Sequence, residues 1–274
     1  MSATLAPERA AVTVSEADLH QFKTEGFFIA RHLLARSETE TLNEHFMRMH
    51  AGRVKDLPPP VTLANGTVDP LSLYPRIMHP HRFDELSKRY MLDPRIFSIL
   101  RQLLGEDVLS AQSMTYFKAP GSRGQALHQD NFYLQAAPST CIAAWVALDD
   151  CTAENGALMA VPNTQNYAVQ CPTQANADVS FTKEFVAPPK GCKPTLLNMD
   201  AGDTLFFNGN VIHGSGPNKS KTQFRRSFIC HYIGVSAREI SQYYHPLLNE
   251  AGQEVARLKS QGGGPCGVEI KGPH

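Results

Sequence analysis

Residues 126–133 read ALHQDNFY. Side chains at i and i+2 of a β-strand point to the same face. A strand here would therefore set His128 and Asp130 side by side, an imidazole next to a carboxylate. Such a pair offers a metal its first two ligands, and it is equally an ordinary surface pair. The spacing alone does not choose. The choice rests on whether the rest of the chain supplies a third ligand and a reason for the metal.

The chain has 274 residues and a hydrophobic fraction of 42%, which suits a soluble globular protein with a sizeable core. Lys+Arg and Asp+Glu number 26 each, so no overall field draws it to nucleic acid or to an anionic membrane. No run of about 18 apolar residues occurs, and the first residues lack a charged and then apolar leader. A cytoplasmic protein with neither nucleic-acid nor membrane partner is expected; one chain does not fix its oligomeric state. The 6 cysteines contain no CxxC pair, which argues against a zinc knuckle, and reduced structural thiols are expected.

On the N-terminal side of the quoted stretch the pattern is helical. Ser15 with Asp18 opens a helix that stops at Gly26, and Ser37 with Glu40 opens a second whose Leu42, Phe46 and Met49 fall on one face. Asp93-Pro94 starts a third that Gly105 closes. Between them, residues 53–82 are rich in Pro and Gly and read as a long irregular segment, a candidate lid or binding loop. That segment gathers Arg76, His79, His81 and Arg82. Each suits a packed or solvated position on its own, and the cluster suits the grip on a polar substrate.

From residue 107 to about 233 the chain becomes a series of short β-like runs, among them VLSAQSMTYFK, TCIAAWVAL, TLFFNG and RSFICHYI. Helices first and many short strands afterwards predict a mainly β fold with flanking helices. The expected architecture is one domain over 1–274: a helical part at 12–106, a jelly-roll core at 107–233 and a flexible tail at 255–274.

Of the 11 histidines, His213 in NVIHGSGPN is best placed to complete a metal site. It follows the apolar run TLFF and a turn at Asn208-Gly209, and in a double-sheet jelly roll distant strands meet inside one barrel mouth. Two histidines and one carboxylate leave open positions on a metal, the arrangement of non-haem Fe(II) oxygenases. Further on, Arg225 and Arg226 begin a strand and project to opposite faces. One of them must face inward, where a guanidinium without a partner is costly. A buried arginine near an open metal site points to an anionic ligand, for which bidentate carboxylate binding is its strongest mode.

The stretches QSMTYFKAPG, LHQD, AWVALDDCTAENGALMAVPNTQN, GDTLFFNGNVIHGSGPN and FRRSFICHY resemble the phytanoyl-CoA dioxygenase family of Fe(II)- and 2-oxoglutarate-dependent oxygenases, which is related to ectoine hydroxylase. The resemblance covers about residues 107 to 233. It implies a double-stranded β-helix (jelly-roll, cupin-like) core. It also implies Fe(II), 2-oxoglutarate and O2 as cofactor and co-substrates, and hydroxylation of an unactivated C–H bond of a small molecule with release of succinate and carbon dioxide. By this resemblance the iron ligands fall on His128, Asp130 and His213, and the far carboxylate of 2-oxoglutarate on Arg225. The His213 to Arg225 spacing is one residue longer than usual, which leaves Arg226 as the alternative. Trp145 and Tyr116 fall beside 2-oxoglutarate, and Gln112 on a substrate contact. Arg76, His79, Asn131 and Phe132 complete the candidate substrate set, with core packing as the competing role for each. A cupin-like metal-dependent hydrolase or isomerase using the same three ligands without 2-oxoglutarate is the alternative, but it leaves the inward arginine unexplained.

Overall fold

The N-terminal helices form where the sequence supplies caps. In the computed structural model, which describes residues 11–260, 265–267, 270 and 272–274, Ser15 Oγ accepts from the Asp18 amide before helix Glu16–Glu25. Gly26 ends that helix at φ 88°, a conformation open to a residue without Cβ. Helix Pro94–Leu104 starts on the Asp93 carboxylate and ends at Gly105. Helix Arg36–Arg53 begins slightly earlier than its sequence suggests, because Glu38 rather than Glu40 reaches back to accept from the amide of Ala35.

These helices cover one face of an eight-stranded sheet. Its strand order is Phe27–Ala30, Thr204–Asn208, Ile142–Ala147, Arg225–Gly234, Val108–Lys118, Leu247–Leu248, Glu254–Val255, with Ile77–Met78 added beside Val108–Lys118. A four-stranded sheet runs Gln125–His128, His213–Ser215, Leu158–Ala160, Thr195–Leu197. Neighbours in space are distant in sequence, as the jelly-roll core with flanking helices requires.

Period-two alternation sorts the central strands into two faces. Phe117, Phe228, Cys230 and Tyr232 join Phe22, Leu42, Phe46 and Phe97 in the core beneath the helices. Met114, Trp145, Phe207 and Ile229 join Leu158, Ala160 and Leu197 in the core between the sheets. Each such aromatic or large aliphatic side chain contributes about 1.5–3 kcal/mol on burial. Pairing register then fixes the inner face: Arg225 lies opposite Lys118, Ser227 opposite Tyr116, Ile229 opposite Met114 and His231 opposite Gln112. In the smaller sheet His213 lies opposite both His128 and Ala160.

Some expectations need correction. The strand Gln125–His128 stops at His128, and Asp130 has helical dihedrals, φ −63° and ψ −36°, at the start of the short helix Asn131–Leu134. The amides of Tyr133 and Leu134 turn back to the Asp130 carbonyl, so a turn rather than strand alternation brings Asp130 beside His128. The segment 53–82 contains the short helical turns Val54–Asp56, Pro70–Leu73 and Pro80–Arg82 and the strand Ile77–Met78.

The expectation of reduced thiols fails for Cys171 and Cys266, which form a disulfide with Cα atoms 5.5 Å apart, while Cys141, Cys151, Cys192 and Cys230 are free. Folding joins two cysteines 95 residues apart, a pairing that sequence spacing does not reveal. In the tail, Gly262, Gly263 and Gly264 lie outside the described residues. Leu258–Ser260, by contrast, pairs in parallel with Glu239–Ser241, and His274 is buried, so a uniformly flexible tail is not what the described residues form. No helix among the described residues is long and apolar enough to cross a membrane.

Candidate metal centre

His128 and His213 face each other across two antiparallel strands, with ring centroids 4.2 Å apart. Asp130 reaches the same point: its Oδ1 lies 3.4 Å from His128 Nε2 and 3.5 Å from His213 Nε2. His128 Nδ1 sits 2.8 Å from the Ala126 carbonyl and His213 Nδ1 2.9 Å from the Val211 carbonyl. A carbonyl only accepts, so both protons belong on Nδ1 and both Nε2 atoms present a lone pair towards the carboxylate. This is the tautomer of a metal-binding imidazole fixed by its other nitrogen. Two neutral imidazoles and one carboxylate fit a divalent iron with open positions.

The electrostatics favour that protonation state. Burial pushes the His213 imidazole down to about 4 against the opposing pull of Asp130. Burial works to raise the Asp130 carboxyl, but His213 and His231 nearby, with the hydrogen bond from His231, hold it well below the usual carboxylate range. His231 Nε2 lies 2.9 Å from Asp130 Oδ2, the oxygen turned away from the other two histidines.

Behind this cluster the inner face becomes cationic. Arg225 is 3% exposed, with its guanidinium over the Trp145 ring at 5.2 Å. Its hydrogen bonds go to the Gly156 carbonyl and Ser227 Oγ, both neutral. Arg226 faces the other way and takes both oxygens of Asp149, at 2.8 and 2.7 Å. Of the two, Arg225 is the one without a carboxylate partner among the described residues.

The cavity at the cluster is about 30 Å³ and is lined by Met114, Tyr116, Gln125, Trp145, Phe207 and His231 with the three candidate ligands and His274. A second cavity, about 330 Å³, shares Tyr116 and adds Arg76, Arg123, Tyr74 and Phe181. A larger one, about 760 Å³, lies by Asp149 and Arg226 under the helices, away from the histidines.

Not every predicted residue joins the centre. Asn131 turns away to bond Ser139 and Ala136, and Phe132 packs edge-on to Tyr133; neither lines the metal cavity. Both follow the turn at Asp130, which the strand reading missed. Arg76 donates to Tyr116 Oη at 2.7 Å and stacks on Tyr116 and Phe181. Arg82 donates to the main-chain carbonyls of Tyr243 and His245. His79 is buried at φ 50°, with neither ring nitrogen hydrogen-bonded among the described residues, and Gln112 donates to the main-chain oxygen of His274.

Sequence reasoning missed three contributors. Gln125 Nε2 lies 3.2 Å from His128 Nε2 and 3.0 Å from His274 Nε2. His274 stacks on Tyr133 at 3.8 Å and 7°, and its ligand-capable atom, with those of His128 and Asp130, falls within a 4.8 Å group. Lys118 is buried beside Arg225. His231 shares the inner face with Arg225 by strand alternation, whereas nothing in the sequence announced His274.

The family model for phytanoyl-CoA dioxygenase (PhyH) matches residues 22–227. The chain belongs to the phytanoyl-CoA dioxygenase family. This dioxygenase is 27% identical over 231 residues to the peroxisomal phytanoyl-CoA dioxygenase of Bos taurus, covering 80% of this chain and 68% of that one. Its fold is similar to the non-haem α-ketoglutarate-dependent carbocyclase SnoK from nogalamycin biosynthesis, with TM-score 0.66, 17% identity and 92% and 97% of the two chains covered. It is also similar to EctD from S. alaskensis, solved with 2-oxoglutarate and 5-hydroxyectoine, with TM-score 0.62, 20% identity and coverage of 82% and 78%. The protein is a 2-oxoglutarate-dependent dioxygenase that uses iron and 2-oxoglutarate. That removes the reading of a cupin-like metal-dependent hydrolase or isomerase that does not use 2-oxoglutarate.

Proposed function

We propose that this dioxygenase hydroxylates an unactivated C–H bond of a small polar metabolite, with His128, Asp130 and His213 holding the iron and Arg225 the far carboxylate of 2-oxoglutarate. The observation that carries the reading is the convergence of both Nε2 atoms on Asp130 Oδ1, at 3.4 and 3.5 Å, in front of a buried arginine that has no anionic partner among the described residues. With iron and 2-oxoglutarate bound, the site supplies an oxidant made from dioxygen, with succinate and carbon dioxide released, that takes hydrogen from a C–H bond. The protein's own share is positioning and exclusion. Each histidine is locked by a main-chain carbonyl, Asp130 by His231, and Met114, Leu158, Phe207 and Ile229 line the cavity with apolar surface that keeps water out. Asp130 matters for outcome too, since its carboxylate fills the position that a halide would need.

The substrate reading rests on the 330 Å³ cavity that shares Tyr116 in its lining with the metal cavity. Its size is at the lower end for small-molecule sites. Arg76 in its wall makes no ion pair with a carboxylate among the described residues, which favours a compact anionic or polar molecule over a long acyl chain. His79 and Gln112 line neither this cavity nor the metal cavity, so they are no part of the substrate reading, and a cytoplasmic location is part of the proposal. The test is a metabolite screen for substrate-stimulated succinate formation, followed by product mass. Hydroxylation adds one oxygen atom; a product that keeps its mass or loses two hydrogens overturns hydroxylation in favour of epimerisation or ring closure.

A further inference from the structure

His274 enters the metal cavity from far along the chain and is held there through both its main chain and its ring. Its amide donates to Tyr244 Oη at 3.1 Å, its main-chain oxygen accepts from Gln112 Nε2 at 2.8 Å, and its Nε2 lies 3.0 Å from the amide nitrogen of Gln125. The ring stacks on Tyr133 and stands 4.7 Å from the His128 ring, centroid to centroid. The residue is 7% exposed, although no strand or helix carries it. An amide nitrogen only donates, and that of Gln125 stands 3.2 Å from His128 Nε2 as well, so both imidazoles turn a lone pair towards one place. A ligand-capable atom of His274 lies within 4.8 Å of those of His128 and Asp130, close enough for the three to share one ion. With the ring in place the cavity is about 30 Å³, room for little more than a water molecule.

The hold is also covalent. Cys266 is bonded to Cys171, so a short tether keeps His274 beside the metal ligands. Such a tether gives a donor an effective concentration in the millimolar range, at which even a weak ligand counts. We infer that His274 is a fourth, displaceable ligand that closes the open face of the metal centre until a keto acid replaces it. The inference rests on the reading that His128, Asp130 and His213 hold the iron. It gives His274 two opposed effects: it adds a donor for the metal, and it obstructs any other molecule that needs the same face.

The test uses Co(II) as the metal probe without keto acid, titrated by visible absorption against wild type, His274→Ala, His274→Phe and His213→Ala. 2-Oxoglutarate is then titrated anaerobically against the Fe(II) forms of wild type and His274→Ala. His274→Phe keeps a ring to stack on Tyr133 and lacks a ligand atom. Both His274 variants are expected to bind Co(II) about tenfold more weakly, the least that even an outer partner of a metal ligand is worth, and to change the cobalt spectrum. His274→Ala is expected to bind 2-oxoglutarate several-fold more tightly, whereas a merely structural role would weaken both ligands or neither. Wild-type Co(II) affinity and spectrum in His274→Phe, or weaker 2-oxoglutarate binding in His274→Ala, overturn the inference. If His213→Ala loses the metal and the His274 variants do not, the fourth ligand falls and the three-ligand reading stands. If His213→Ala binds Co(II) as wild type does, the three-ligand reading itself fails, and the inference with it.

Discussion

His231 Nε2 lies 2.9 Å from Asp130 Oδ2, and this contact joins the large sheet to the candidate metal ligands on the small one across 101 residues of sequence. Asp130 sits at a turn, where it lacks the ladder bonds that lock His128 and His213. A partner for its outer oxygen is what fixes the direction of its inner one. His231→Leu is expected to weaken Fe(II) binding about ten- to a hundredfold, whereas His231→Gln, which keeps an N–H donor, loses much less. Anaerobic metal titration measures both. Equal affinities in His231→Leu and wild type would show that the carboxylate needs no such support.

Gly214 lies between His213 and Ser215, where a Cβ would come 2.7 Å from the Gln125 carbonyl and 3.1 Å from the Leu127 amide. These are backbone atoms of the paired strand and have little freedom to yield. Gly214→Ala is expected to destabilise the fold by about 1–3 kcal/mol and to loosen metal binding by spreading His213 from His128. Gly216→Ala is the control, because a Cβ there meets nothing within 4 Å. Thermal melts and metal titrations of the two variants should separate; matching behaviour would contradict the close-approach argument.

Burial pushes His81 down to about 4, helped by Arg82 and Lys88, and His79 to about 3. An unfolded histidine titrates near 6.5. Between that value and 4 the unfolded chain therefore binds more protons than the folded one, and stability is full above about pH 6.5 and falls as pH drops. His81 alone accounts for a loss on the order of 2–3 kcal/mol by pH 4. Denaturant midpoints of wild type should fall from pH 7 to pH 5, and His81→Gln should show a shallower fall. A slope that His81→Gln leaves untouched assigns the loss to other groups.

The parts of the fold governed by local chemistry could be read from the sequence. Ser15, Asp93-Pro94, Gly26 and Gly105 mark helix ends because capping involves residues only a few positions apart. Alternation put Arg225 and Arg226 on opposite faces, and the structure has one buried and the other on Asp149. What could not be read depends on long-range register or on a turn. Nothing local says that Lys118 faces Arg225, or that His274 returns to stack on Tyr133. The alternation rule also failed where it was applied first, at His128 and Asp130, since the chain leaves the strand between them. Asn131 and Phe132 were candidates because they directly follow Asp130, and the helical turn there carries them away from the metal cavity.

The most direct test of the three-ligand centre is the visible charge-transfer absorption formed by anaerobic Fe(II) and 2-oxoglutarate, recorded for wild type and for Asp130→Ala, His213→Ala and His274→Ala. Because His213 is fixed by strand pairing opposite His128, whereas His274 comes from a segment with no strand at that point, the band should survive in His274→Ala and vanish in the other two variants. A band that persists in Asp130→Ala and His213→Ala, or that is lost only in His274→Ala, would contradict the account.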